Sequence, residues 1–293
     1  MPQKYKVLIT GSSGMLGIDL ANELRRGYRL TGTDTADSSE SRLRRFYKLD
    51  ITDFKSTADV FKKVKPDIVV HTAAWTDVDG CELNKDKAYA INSDGTRNVA
   101  LACKRIGAVL VYISTDFVFD GKKKRPYRED DKTGPLSVYA DSKLEGETAV
   151  KKTLKKYFIL RTSWLYGKHG KNFVDTITAK SKKGGLLKVV DDQIGSPTYT
   201  KDLAKAIRIL IGKNIKDFGV YHVSNSGSVS WYEYARAILK ISGVKAKVVP
   251  ISSKELARPA RRPAMSVLDS SKFEKVTGHK MRNWKIALQE YLN

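Results

Sequence analysis

At 293 residues the chain can bury a sizeable core, and it sits between one large domain and two ordinary ones. Its formal charge of +22 lies in dispersed runs such as Lys122-Lys123-Lys124-Arg125, without the interleaved aromatics of a strand-binding platform, which argues against nucleic acid and for a basic surface that attracts polyanionic small substrates. No apolar run approaches the roughly 18–20 residues that span a bilayer, no signal-peptide core precedes the first strand, and two cysteines without metal-ligand spacing fit a reducing cytoplasm.

The first predicted element is a strand over 6–10. It empties into Gly11-Ser12-Ser13-Gly14-Met15-Leu16-Gly17, with a helix predicted over 19–26. Backbone N–H groups at such a helix start have no intrahelical partner, and the glycines let a pyrophosphate approach closely. The glycine spacing alone fits an ordinary tight turn equally well. A second strand over 29–33 stops on Asp34, whose carboxylate is placed for a ribose 2′-hydroxyl and repels a 2′-phosphate. The pair predicts a dinucleotide cofactor, NADH or NADPH, with NADH favoured; Arg42, Arg44 and Arg45 downstream would soften that preference.

A third strand is predicted over 45–50, and Asp53 caps a helix through Val64. The apolar strand over 67–71 suits a parallel sheet buried on both faces, and its His71 reads as structural. A long helix over 85–106, with Asn92 inside it, stops at Gly107. The strand over 109–113 leads into Ser114-Thr115-Asp116, a polar loop over 120–135 follows, a helix starts near Val138, and a sixth strand covers 158–161. Such alternation specifies an α/β fold with a doubly wound parallel sheet and ligands at the C-terminal strand ends. Beyond Trp164 the periodicity weakens: 166–201 reads as loop-rich, and helices over 201–211 and 230–241 flank a strand over 220–223. The expected division is a dinucleotide-binding domain over 1–165 and a smaller substrate-binding lobe over 166–293, some of whose segments return to the first sheet.

Tyr139 and Lys143 carry the chemistry. Four residues apart, they share one helix face. A free phenol is too weak an acid to exchange protons at neutral pH, and a neighbouring ammonium is expected to lower its pKa. The hydroxyl of Thr115 at the preceding strand tip completes a three-part arrangement able to hold and protonate a carbonyl oxygen.

These elements resemble the extended short-chain dehydrogenase/reductase family. Within it, His71-Thr72-Ala73-Ala74-Trp75-Thr76-Asp77-Val78-Asp79, Ser114-Thr115-Asp116-Phe117-Val118-Phe119, Arg161-Thr162-Ser163-Trp164-Leu165-Tyr166, Asp192-Gln193-Ile194-Gly195-Ser196-Pro197-Thr198 and Arg258-Pro259-Ala260-Arg261-Arg262-Pro263 are similar to the dTDP-4-dehydrorhamnose reductases, so the resemblance covers nearly the whole chain. It implies a Rossmann-like sheet with a smaller C-terminal lobe. The implied reaction is NAD(P)H-dependent reduction of a nucleotide-diphosphate 4-keto-6-deoxysugar, dTDP-4-dehydrorhamnose to dTDP-rhamnose. Tyr139 would protonate the ketone oxygen, Lys143 would grip the nicotinamide ribose, and Thr115 would bond the same oxygen. Asp116 and Trp164 would touch the sugar. Asp50 and Ile51 would meet the adenine, and Ala73, Ala74, Trp75 and Thr76 would line the cofactor beside Gly11, Ser13, Gly14, Met15, Leu16 and Gly17. Asn92 would help hold a proton-relay water.

Phe117 departs from the tyrosine frequent after S-T-D in this family. Related dehydratases carry a glutamate there as the base for water elimination, so Phe117 favours simple reduction. An arginine clamp suits a diphosphate, and of Arg258, Arg261 and Arg262 the last is the candidate; each also reads as ordinary surface charge. Trp231 reads as a core or interface aromatic, and His169, His222 and His279 as isolated, with no metal site. The alternatives are an NAD-dependent nucleotide-sugar epimerase and a non-catalytic cofactor-binding subunit similar to the beta subunit of methionine adenosyltransferase. The resemblance leaves a homodimer open.

Overall fold

The computed structural model describes residues 5–36, 43–212 and 216–293, so Arg42 lies outside the described residues. The chain opens with β1 (Lys6–Thr10), α1 (Met15–Leu24) and β2 (Arg29–Asp34). The predicted 19–26 helix begins four residues earlier, because Gly14 serves as its N-cap in an extended conformation and no capping side chain announces the start. Next come β3 (Phe46–Lys48) and α2 (Phe54–Val64), where Asp53 accepts a hydrogen bond from the Ser56 amide as predicted. They lead to β4 (Ile68–His71), whose four residues are all buried.

The single helix expected over 85–106 is a composite. A short α3 (Val78–Leu83) precedes it, and α4 (Lys85–Tyr89) passes through a π-helical turn, Ala90–Gly95, into α5 (Thr96–Ile106), which Gly107 ends at φ 73°. Then follow β5 (Val109–Thr115), a 3₁₀ turn over Asp116–Val118, α6 (Val138–Thr153), β6 (Tyr157–Thr162) and β7 (Leu165–Tyr166). The segment read as loop contains α7 (Phe173–Lys182), capped by Asn172 on the Asp175 amide, then β8 (Leu186–Val190), β9 (Ile194–Gly195) and β10 (Thr198–Tyr199). The chain finishes with α8 (Thr200–Gly212), β11 (Gly219–His222), β12 (Val229–Ser230), α9 (Trp231–Ser242), β13 (Lys247–Ile251), α10 (Ser253–Leu256), α11 (Ser271–Thr277) and α12 (Trp284–Leu292).

Seven parallel strands form one sheet in the order β3-β2-β1-β4-β5-β6-β11. The strand order reverses between β1 and β4, and a crevice outside the carboxyl ends of these strands is the standing ligand position of a doubly wound sheet. Side chains alternate between two cores. Val7, Ile9, Val111 and Ile113 pack with α1 and α8, while Leu8, Leu110 and Tyr112 pack with α2, α5 and α6. Residues beyond 166 thus supply both β11 and α8 to the first sheet, and the Thr200 hydroxyl donates to Asp19 Oδ2 (2.5 Å), fastening α8 to α1. A third core, rich in tyrosine, lies among α7, α9, α12 and β8. No helix among the described residues is long and apolar enough to cross a membrane.

Candidate active site

The three glycines at the tip of β1 do different work. Gly11 holds φ 69°, and a Cβ there would come within 2.6 Å of the Ala73 amide nitrogen. A Cβ on Gly17 would stand 2.2 Å from the Gly11 carbonyl oxygen, so this glycine lets α1 close onto the turn. Gly14 is different: a Cβ there meets only the Gly11 oxygen, at 3.3 Å. The outer glycines therefore build the turn and the middle one keeps its mouth open. The result is a cradle at the N-terminus of a ten-residue helix, which fits the diphosphate of a dinucleotide.

The cradle is one wall of a cleft of about 440 Å³. The predicted residues Gly11, Gly14, Met15, Leu16, Gly17, Ala74, Thr76, Thr115, Asp116, Tyr139, Lys143 and Trp164 all line it. The structure thus joins the glycine turn of β1, the tip of β5 and one face of α6.

The remaining candidates lie behind or beside that wall. Asp34 Oδ2 accepts from the Ser13 amide (3.0 Å) and Oδ1 from the Thr35 amide (2.8 Å), so the carboxylate also anchors the glycine loop. Asp50 accepts from the Thr52 amide, and the Ile51 side chain packs beside Gly95. Ala73 backs Gly11. Trp75 is held at both ends by Asn92, whose Oδ1 accepts from the Trp75 amide (2.9 Å) and whose Nδ2 donates to its carbonyl oxygen (3.1 Å). That Nδ2 also donates to Ser142 Oγ (3.1 Å), so the buried amide of the π-helical turn fixes the Trp75 segment with its own atoms. Arg262 does not line the cleft. Its guanidinium donates to Asp79 Oδ2 (3.0 Å) and to the Ala260 carbonyl (2.8 Å), tying the C-terminal segment to α3.

The electrostatics depart from expectation at Tyr139. Burial raises the phenol's pKa, and the neighbouring Thr115 hydroxyl pulls it back. Lys143 does not lower it. Its Nζ donates to the Ile113 carbonyl (2.7 Å) and lies 4.2 Å from the Tyr112 ring centroid, and burial pushes the ammonium itself down to about 7 against the pull of Glu147. His71 is structural as read: it bonds Thr10 Oγ1 (2.6 Å) and Thr96 Oγ1 (3.1 Å), and burial holds it at about 3.

Sequence reading missed several cleft residues. Trp231 lines the cleft as well as packing into the third core; it stacks on Trp164 with ring centroids 3.5 Å apart. Trp164 holds φ 48°, a strained conformation for a large side chain, and Gly195 makes room for its indole. Thr72, Ser163 and Lys171 also line the cleft. Lys171 is one of 54 basic residues, and no spacing marked it out.

Comparison with known proteins agrees with this geometry. A family model described as the RmlD substrate binding domain matches residues 5–293. The spore coat polysaccharide biosynthesis protein SpsK of Bacillus subtilis is 44% identical, over 98% of this chain and 96% of its own length. A dTDP-4-dehydrorhamnose reductase of Streptomyces griseus is 40% identical, over 97% of this chain and 91% of its own. Among solved structures, dTDP-4-dehydrorhamnose reductase from Bacillus anthracis in complex with NADP superposes with a TM-score of 0.91 at 41% identity, covering 99% of both chains. Matching the family model almost end to end, the chain belongs to the RmlD family, the dTDP-4-dehydrorhamnose reductase branch of the extended short-chain dehydrogenase/reductases.

Proposed function

We infer that the protein reduces the 4-keto group of a nucleotide-diphosphate 6-deoxysugar, converting dTDP-4-dehydrorhamnose to dTDP-rhamnose. The observation that carries this reading is the meeting of Thr115, Tyr139 and Lys143 with the glycine cradle in one cleft. A reduced nicotinamide dinucleotide, when bound, supplies the hydride. The cradle holds its diphosphate, Asp34 its adenosine ribose, Asp50 and Ile51 its adenine end, and Ala73 to Thr76 its flank. Lys143 donates to the nicotinamide ribose. Tyr139 gives its proton to the ketone oxygen, and Thr115 donates a hydrogen bond to the same atom. Trp164, stacked on Trp231, lies against the sugar, and the buried Asp116 stands behind Thr115. Arg262 takes the sugar-nucleotide diphosphate by exchanging Asp79 for it.

The test is a panel of 4-keto nucleotide sugars assayed for oxidation of NADH and NADPH. Stoichiometric oxidation with the dTDP 4-keto-6-deoxysugar is expected. Tightly held NAD with no net NADH oxidation would replace this reading with an epimerase. Co-purification with a synthetase partner and no turnover would replace it with a regulatory subunit.

Asp34 sets the cofactor preference in this reading. Asp34→Ala is expected to weaken NADH about tenfold, the worth of one charge-assisted hydrogen bond, while NADPH weakens less. Dissociation constants for both cofactors from nicotinamide fluorescence check it, and an unchanged ratio removes Asp34 from the discrimination.

A further inference from the structure

Asp116 is a buried carboxyl group with one oxygen left without a partner. It is 1% exposed, and its Oδ2 is buried without a hydrogen-bond partner. The other oxygen, Oδ1, lies 3.1 Å from Thr115 Oγ1. Ser266 sits beside the group, but its hydroxyl is aligned toward the Ile194 carbonyl at 3.5 Å. An ionised carboxylate needs donors at both oxygens, and burial without them penalises the charge.

The hydroxyl of Thr115 has one proton and two lone pairs. The Phe117 amide donates to one lone pair (3.2 Å). The remaining lone pair and the proton are divided between Asp116 and the cleft, where Tyr139 also lines the wall. If Asp116 is ionised, it takes the Thr115 proton, and Thr115 faces the cleft as an acceptor. That is the wrong polarity for an oxygen gaining negative charge. If Asp116 is neutral, it donates into the second lone pair, and the Thr115 proton is turned toward the cleft.

We propose that Asp116 works as a neutral carboxyl group that donates its proton in a hydrogen bond to Thr115, so that the Thr115 hydroxyl becomes a fixed donor to the ketone oxygen Tyr139 protonates. Asp116 is then a positioning residue, acting through Thr115. No bond is made or broken at Asp116, and its proton stays with it through the reaction. The inference rests on the reductase reading above and extends it.

The surroundings agree with a neutral group. Burial first, against the lowering pull of the Ser266 and Thr115 hydroxyls and of the Asp116 and Phe117 amides, raises the carboxyl to about 7. The titratable groups facing it are Tyr139 and Lys143 from α6, which line the same cleft; Cys81 of α3 stands beyond Tyr139, and Ser266 from the C-terminal segment brings a hydroxyl but no charge. A negative charge at Asp116 would also raise the pKa of the Tyr139 phenol further, making it a poorer acid.

The experiment compares Asp116→Asn and Asp116→Ala with the parent. The asparagine amide can donate to Thr115 but does not titrate. Asp116→Ala is expected to lower kcat about tenfold or more, the worth of one aligned hydrogen bond, with the KM for the sugar little changed. Asp116→Asn is expected to recover most of that loss and to remove the part of the alkaline fall in kcat that Asp116 contributes above about pH 7. An asparagine variant as impaired as the alanine one, or one keeping the parent's full alkaline limb, overturns the proposal. So does an effect confined to the sugar KM, which would mark Asp116 as an ionised acceptor for a sugar hydroxyl. Isotope-edited infrared spectroscopy of the parent gives a readout independent of turnover. A protonated-carboxyl band about one pH unit below the midpoint that is lost about two units above it, and missing in Asp116→Asn, is expected; its absence overturns the proposal whatever the activity, whereas a failed sugar panel with the band intact sinks only the reductase reading.

Discussion

Tyr139→Phe is expected to lower kcat by at least about a hundredfold while leaving the dissociation constant for NADH unchanged, the lower end of what a lost general acid costs. The ring has a place of its own: its centroid lies 6.3 Å from that of Phe117 in an edge-to-face contact that phenylalanine keeps. What the substitution removes is a proton. Burial raises the phenol's pKa, so it is fully protonated at neutral pH, the state required of a donor to an oxygen becoming an alkoxide. Single-turnover oxidation of bound NADH separates the chemical step from binding, and turnover near the parent's would strip Tyr139 of its role. Lys143 enters differently than its spacing implies. With its ammonium pushed down to about 7 by burial, it is ready to gain charge beside an anionic dinucleotide, so its effect on catalysis runs through cofactor binding.

The elements that position this phenol were legible because they are local. The strand over 6–10, the glycine turn, the strand running into Ser114-Thr115-Asp116 and the Tyr139–Lys143 spacing each lie within a dozen residues, and the hydrophobic period identified them. The regions misread depend on distant partners. The strand Leu186–Val190 pairs with Lys247–Ile251, some 60 residues on, and the Gly184-Gly185 pair before it looked like loop. Helix Phe173–Lys182 is announced by Asn172 alone, in a stretch otherwise full of glycine and lysine. At the site the misses have the same origin. Trp231 is adjacent to Trp164 only after α9 folds against the strand tips, and the Asp79 carboxylate that holds Arg262 is 183 residues away in the chain. The pKa of Tyr139 was misjudged because spacing places a lysine nearby but does not say where its ammonium points. Burial, which decides the sign, is a tertiary quantity.

Arg161→Met is expected to destabilise the fold by about 3–5 kcal/mol, the cost of leaving a buried charge without its partner. The guanidinium of Arg161 grips Glu147 with two parallel bonds, Nε to Oε1 and Nη2 to Oε2, both 2.8 Å, with the side chains 2% and 0% exposed. Ser114 donates to Oε1 (2.7 Å) and Lys151 to Oε2 (3.2 Å). Glu147 stands two turns beyond Tyr139 on α6, and Ser114 is the neighbour of Thr115 on β5. The pair therefore locks the helix that carries the phenol to the strand tip that carries the hydroxyl, in the register the reaction needs. Burial opposes the Glu147 charge, and Arg161 overcomes it by hydrogen bonds and charge, holding the carboxyl below its ordinary range. A depressed folded pKa gives stability present above the unfolded value and lost as pH falls through the folded one. Without Arg161 only the Ser114 hydroxyl and the half-exposed Lys151 ammonium oppose the burial penalty, and the carboxyl's pKa rises. The gap between variant and parent in urea unfolding is then widest at neutral pH and narrows as pH falls from the variant's raised folded pKa to the parent's lowered one, the unfolded carboxyl being common to both. Adding Glu147→Gln removes the stranded charge, so the double variant regains much of the lost stability. A gap independent of pH, or a double variant no better than the single one, would mean that Arg161 acts by packing on the Phe119 ring, 5.1 Å from its guanidinium carbon, and not by holding the charge of Glu147.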